Sequence, residues 1–174
     1  TDRSIIGHGI FMDHHPWLHW TSRDDLGRMA ENGATIAHCP TVFVRRGIAL
    51  NTFGEYGRRG INLGIGTDTY PHKYLDEMRT ALYTARAVGG SVADLKTTDV
   101  FNAATVGGAR ALRRDDIGRL AVGARADIVM SDLKHPAMMP VREPLRSLIY
   151  VAGDRAIRDV FVDGDHVVRA GQVQ

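Results

Sequence analysis

The feature that most constrains this chain is a repeat of organisation in its first seventy residues. Three short apolar segments, Ser4-Ile5-Ile6-Gly7, Ala34-Thr35-Ile36-Ala37 and Ile61-Asn62-Leu63-Gly64-Ile65-Gly66, each run into a polar residue: His8, His38 and Asp68. Thirty residues separate His8 from His38, and thirty more separate His38 from Asp68. A chain that alternates strand and helix builds parallel strands, because parallel neighbours need a crossover of a dozen or more residues. An eight-unit barrel of about 250 residues allots about 31 residues to each strand–helix unit. The interval therefore fits consecutive units of a (β/α)₈ barrel.

The stretches between the strands carry helical punctuation. Thr21-Ser22-Arg23-Asp24-Asp25 offers an N-cap hydroxyl with an acid three residues on, a capping-box pattern. Leu26, Met29 and Ala30 then follow at i, i+3, i+4 spacing, and Asn32-Gly33 closes the helix. A second helix, from about Thr52 to Arg59, ends on Arg58-Arg59-Gly60, cations and a stop glycine. From Tyr74 to Val88, Leu75, Met78, Leu82 and Ala85 fall on one stripe, and a further helical region runs from Thr98 to Leu112, interrupted near Gly107-Gly108. After Arg113 the character changes to short β-like runs: Ala126–Met130, Val160–Val162 and Val167–Arg169, with Asp163-Gly164 as a hairpin turn and a short helix from Pro144 to Val151. Residues 1–113 are expected to form barrel units and residues 114–174 a small β-rich module, with no low-complexity linker between them.

Charge and cysteine usage exclude several classes. Twenty-two Lys and Arg stand against 20 Asp and Glu, a balance too even for a nucleic-acid face. Cys39 is the single cysteine, so no intramolecular disulfide can form. No apolar run approaches the roughly 18 residues of a membrane span and no signal-peptide pattern is present, so a cytoplasmic location is the expectation. The opening Thr-Asp-Arg-Ser lacks an initiator Met and suggests an entry point inside a larger protein, although a processed or trimmed chain would look the same.

Polar residues at the ends of parallel barrel strands occupy the face where such folds carry active sites. Neighbouring strands lie about 5 Å apart, so two imidazoles and a carboxylate there can converge. That donor set suits a divalent transition metal, zinc or iron. Such an ion lowers the pKa of bound water to about 7, and an adjacent carboxylate can accept the proton. The competing reading makes each strand-end residue a cap or a satisfied polar group, and spacing alone does not choose between the two.

The words around these residues do choose. Gly7-His8-Gly9 followed by Asp13, Ala37-His38-Cys39-Pro40, and Leu63-Gly64-Ile65-Gly66-Thr67-Asp68 resemble successive signatures of the amidohydrolase superfamily, in the branch of triazine hydrolases and adenosine- or guanine-type deaminases. The likeness continues through Leu75-Asp76-Glu77-Met78-Arg79, Ala103–Leu112, Ile117–Val129 and Val160-Phe161-Val162-Asp163-Gly164. It implies an α/β fold: the C-terminal portion of a (β/α)₈ barrel, strands six to eight with their helices, followed by a small β-sandwich segment. It further implies a hydrolase attacking a C–N bond, or a C–Cl bond, of an N-heterocyclic or amide-like small molecule. By the resemblance His8 ends the sixth strand, His38 the seventh and Asp68 the eighth. Asp68 would bind the metal and shuttle a proton, His8 would lie beside the metal as a ligand or polarise the substrate or the water, and His38 would either touch substrate or brace its strand. Thr67 and Thr69 would orient Asp68.

The family's His-x-His pair, its third metal histidine and its catalytic glutamate have no counterpart in these residues. His14-His15 is no substitute, since adjacent side chains diverge. The chain alone is expected to bind metal weakly, to be inactive, and to pair with the missing N-terminal half of the barrel or self-associate, because unpaired strands leave open edges. The alternative is a non-catalytic binding or assembly module working with a partner chain. Blander roles are expected elsewhere: Cys39 as a buried thiol, Trp17, His19 and Trp20 as loop packing or a pocket mouth, Arg45-Arg46 as solvated charges or an anion contact. His72 could reach the pocket, whereas His135 and His166 have no catalytic case.

Overall fold

The structure, a computed structural model, describes residues 3–15, 18–49, 53–93 and 95–174. The three expected strands form. β1 (Ile5–Gly7), β2 (Thr35–His38) and β3 (Asn62–Ile65) make a parallel sheet in the order β1-β2-β3. Gly7 stands opposite Ala37, thirty residues on, and Ala37 opposite Gly64, twenty-seven residues on. The second interval of thirty is therefore not the strand register. His38 pairs with Ile65, and Asp68 lies on the loop beyond β3.

Helices cover this sheet, and several of their ends are set by distant residues. The N-cap of α1 (Asp25–Glu31) is Asp24, and neither Thr21 nor Ser22 starts the helix as the capping-box pattern suggested. The buried carboxylate of Asp13 takes the role instead, accepting from the amides of Asp24 (2.6 Å) and Asp25 (3.3 Å), while the Asp13 amide donates to Asp25 Oδ2 at 2.9 Å. This is a capping box closed across a loop. α2 (Pro40–Val44) follows β2 directly and was not foreseen; α3 (Phe53–Arg58) falls where the second helix was expected, with Thr52 outside the described residues. α4 (Tyr74–Gly89) buries Met78, Leu82 and Ala85 from the expected stripe and ends on Gly90 at φ 71°.

α5 (Thr97–Asn102) continues through a wide π turn, Ala103–Gly107, into α6 (Gly108–Ala111). The sequence interruption at Gly107 has a steric cause. A Cβ there would stand 1.9 Å from the Leu63 carbonyl oxygen, so only glycine lets this helix lie on β3. Asn62 Nδ2 fixes the contact by donating to Gly107 O at 3.0 Å and Thr35 Oγ1 at 2.9 Å.

The remaining strands, β4 (Ile128–Ser131), β5 (Ile157–Val162), β6 (Asp165–Arg169) and β7 (Gln172–Val173), form an antiparallel sheet in that order. Asp163 and Gly164 turn the β5–β6 hairpin with φ of 53° and 92°, the mirror-image turn that matches strand twist. α7 (Pro144–Ser147), the π turn Leu148–Ala152 and the 3₁₀ turn Gly153–Ala156 join this sheet to α4. Ile149 enters the core with Met78, Ala81 and Leu82, and Arg79 Nε donates to its carbonyl at 2.7 Å. A second core, Leu26, Met29, Ile36 and Tyr56 among its members, lies between β2, α1 and α3. Among the described residues β1 and β3 pair on one side only, the β-rich region is a single sheet, and no helix is long and apolar enough to cross a membrane.

Candidate active site

His8 and Asp68 meet where β1 and β3 give way to loops. His8 Nε2 lies 3.4 Å from Asp68 Oδ2. Both residues have positive φ, 65° and 43°, a conformation uncommon outside glycine and concentrated at functional sites. Gly9 (φ 66°) completes the turn after β1, and its carbonyl accepts from the buried Tyr56 hydroxyl at 2.7 Å. The His8 ring stands edge-on to Phe43 with centroids 4.9 Å apart, and its Nδ1 is buried without a hydrogen-bond partner.

His38 is in a different setting. It is 1% exposed, its ring lies 5.1 Å from that of Phe53, and its Nδ1 has no hydrogen-bond partner. Burial, and then the neighbouring His8, bring its pKa down to about 3, so it is neutral at physiological pH. Two roles are expected for His38, substrate contact or bracing the strand end, and its side chain is buried at that end. Next to it, burial and then the nearby Asp68 and Glu77 carboxylates raise Cys39 to about 11, which keeps it a thiol. Its sulfur fills the space where a Gly66 Cβ would sit, 2.8 Å away. Cys39 thus dictates glycine in the Gly66-Thr67-Asp68 turn.

Asp68 is flanked by tethers. The Thr67 hydroxyl and His72 Nδ1 share a hydrogen bond of 2.8 Å, and Arg45 Nη1 donates to Thr69 Oγ1 at 2.8 Å. The Tyr74 hydroxyl donates to Ile65 O at 3.0 Å. Glu77 was missed as a site-building residue. It is buried, and its Oε2 accepts from the Thr41 amide at 3.1 Å, capping α2 just after His38. Burial raises its pKa although the Thr41 bonds pull the other way. The signal was present: Glu77 shares the buried stripe of α4 with Ala81 and Ala85.

The other histidines stand apart from this centre. The His14 and His15 rings lie 4.1 Å apart at a tilt of 38°, and burial followed by the His15 charge lowers His14 to about 4. His15 Nε2 donates to Gly9 O at 3.3 Å. His135 Nδ1 accepts from the Ala137 amide, and His166 pairs with Asp159 at 2.9 Å in the antiparallel sheet. Arg46 turns back to the Val42 carbonyl, His19 and Trp20 are exposed, and Trp17 lies outside the described residues.

Two ligands about 2.1 Å from one tetrahedral ion stand roughly 3.4 Å apart. The His8–Asp68 separation matches that spacing. The pair fits part of a metal centre. Among the described residues no group of three or more His, Cys, Asp or Glu could hold an ion, and zinc needs at least one further donor.

Parallel strands joined by helices, with an imidazole and a carboxylate 3.4 Å apart beyond their C-terminal ends, define an α/β chain. Residues 2–167 match the amidohydrolase family, and the chain belongs to it. It is similar to the 5-methylthioadenosine/S-adenosylhomocysteine deaminase of Pyrococcus abyssi, 31% identical over 171 residues that take in 96% of this chain and 38% of the relative. The enzyme of that name from Desulfitobacterium hafniense (strain DSM 10664 / DCB-2) is 33% identical, over 95% of this chain and 39% of its own. Among solved structures, an adenosine deaminase from Xanthomonas campestris with bound zinc aligns with a TM-score of 0.86 at 31% identity, covering 100% of this chain and 39% of that one. The atrazine chlorohydrolase of Arthrobacter aurescens TC1 complexed with zinc aligns with a TM-score of 0.86 at 26% identity, over 99% and 38%. The chain spans about two-fifths of the length of these relatives.

Proposed function

We propose that these residues form the C-terminal part of a metal-dependent hydrolase that deaminates an N-heterocyclic small molecule. In this reading β1, β2 and β3 are the sixth, seventh and eighth strands of a (β/α)₈ barrel. Residues 1–113 belong to that barrel, and residues 114–174 contribute one sheet of a small β-sandwich. The preceding five units of a longer polypeptide supply the remaining metal donors, so the 174 residues alone bind the ion weakly and turn over little. Self-association through the unpaired edges of β1 and β3 is the expected behaviour of the isolated chain.

The observation that carries the reading is the His8–Asp68 approach at 3.4 Å on two turns of positive φ. His8 and Asp68 would both serve as donors, to zinc or to iron. Such an ion supplies Lewis-acid activation of water at neutral pH. Asp68 accepts the proton of the attacking water and passes it toward the leaving nitrogen. His8 would hold the ion beside Asp68, or, where it is not itself a donor, polarise the substrate or the water. His38 stays neutral and braces the β2 end, a role its burial supports over direct contact with substrate. The names of the relatives favour deamination over dechlorination.

The test is Asp68→Asn in the full-length protein. We expect kcat to fall by roughly 10²-fold or more, as for loss of a general base, with metal content followed by elemental analysis. Near wild-type turnover with metal retained would remove Asp68 from the role.

A further inference from the structure

We propose that His72 and Arg45 are positioning residues for Asp68, acting through the hydroxyls of Thr67 and Thr69. The inference rests on the reading of Asp68 as a metal-binding proton acceptor. Asp68 needs positioning on physical grounds: it lies beyond the last residue of β3, its side chain is half exposed, and its backbone is in the left-handed region at φ 43°. A residue so placed drifts toward ordinary backbone angles unless its neighbours hold it.

Each neighbour is held, and by a different part of the chain. Gly66 abuts the Cys39 sulfur on the β2 side. Thr67 is tied to His72, across the loop, at 2.8 Å. Thr69 is tied to Arg45, just past the end of α2, at 2.8 Å. The two threonines flank Asp68 in sequence, so their tethers restrain the backbone on both sides of the carboxylate. Arg45 comes from the unit that carries His38, so the clamp links the β2 and β3 strand ends. Arg46, adjacent to Arg45, donates back to the Val42 carbonyl of α2 and takes no part.

The experiment is a double-mutant cycle on Thr67 and His72 in the full-length protein, with Thr67→Val, His72→Ala and the pair, read by kcat, KM and zinc affinity against a chromophoric chelator. Each single change is expected to lower kcat and weaken zinc about three- to tenfold, with KM within about twofold. The double variant is expected to lose no more than the worse single one, because both remove the same bond. Thr67→Ser, which keeps the hydroxyl, restores both values. Arg45→Gln reproduces the effect in the same direction, whereas Arg46→Gln leaves both values unchanged.

Independent, multiplicative losses in the double variant, or zinc affinity unmoved in all of them, would overturn the clamp. A single variant that melts non-cooperatively is read through Thr67→Ser and Arg45→Gln, which change less of the loop. The two readings fail separately. If Asp68→Asn keeps turnover, Asp68 loses its assigned chemistry; if Asp68→Asn abolishes turnover and the cycle shows no coupling, only the clamp falls.

Discussion

The parallel and antiparallel sheets put their polar side chains to opposite use. Around β1–β3 several polar groups are buried or on left-handed turns and serve a distant element. Asp13 caps α1, Glu77 caps α2, His38 lies under the strand ends, and His8 and Asp68 face each other on left-handed turns. Around β4–β7 Arg125 and Asp163 form an exposed pair, and the largely covered Asp159 pairs with Arg158 and His166 of the same sheet. Exposed pairs contribute about 0–1 kcal/mol, whereas a buried polar group that loses its partner costs several times that. The difference separates the region that would carry the proposed site from the region packed beside it.

The steric contact beneath that geometry gives the sharpest test. Gly107→Ala forces the α5–α6 helix off β3, because the added Cβ would stand 1.9 Å from a backbone oxygen that cannot move aside. We expect a loss of about 3 kcal/mol or more, at the upper end for overpacking, measured by urea unfolding of the full-length protein. Gly66→Ala meets only the Cys39 sulfur, so pairing it with Cys39→Ala should recover most of its smaller loss. If Gly107→Ala proves neutral, the packing of this helix on the strand is not rigid, and the parallel region loses its claim to tighter construction.

Much of this region was legible in the sequence. Ile5-Ile6, Thr35-Ile36 and Leu63 announce strands, and the stripe Met78, Leu82, Ala85 announces α4, because apolar periodicity is a local signal. What the sequence concealed depends on residues far apart in the chain. Asp13 displaces the expected Thr21 or Ser22 cap, and Glu77 stabilises the unforeseen α2 across 36 residues. The equal spacing singled out His8, His38 and Asp68, but it is not the spacing of the strand register. The β2–β3 register is shorter than the interval, so Asp68 reaches His8 from a loop and not from a strand end. Motif resemblance found Asp68; only geometry shows how it is held.

Acid should separate the two sheets next. His38 and His14 titrate near 6.5 when unfolded and near 3 and 4 when folded. Between these values the unfolded chain binds more protons, so stability falls as pH drops below about 6.5. Each histidine contributes a slope of at most about 1.4 kcal/mol per pH unit. Asp159 in the antiparallel sheet behaves differently. Burial would raise its carboxyl, but hydrogen bonds from His166 and Ala170 bring it below 3.8. Its contribution is present above 3.8 and is lost only as pH falls through the lowered value. Urea melts from pH 7 to 4 should therefore show an early decline that His38→Gln flattens. An unchanged acid slope in His38→Gln would mean that His38 is not held neutral by burial.

The smallest effect belongs to the hairpin of the antiparallel sheet. Arg125, just before β4, pairs with Asp163 in its turn, both side chains 42% or more exposed. The turn itself is fixed by the positive φ of Asp163 and Gly164 and by the Asp163 amide, which donates to Asp127 Oδ1 at 2.8 Å. Removing the guanidinium leaves those restraints intact. Arg125→Ala is therefore expected to cost under about 1 kcal/mol, less still at 1 M salt, with kcat and KM unchanged. A loss of about 3 kcal/mol, or any change in turnover, would show the pair to be structurally coupled to the strand-end site. The contrast between the region that would carry the proposed site and the region packed beside it would then no longer hold.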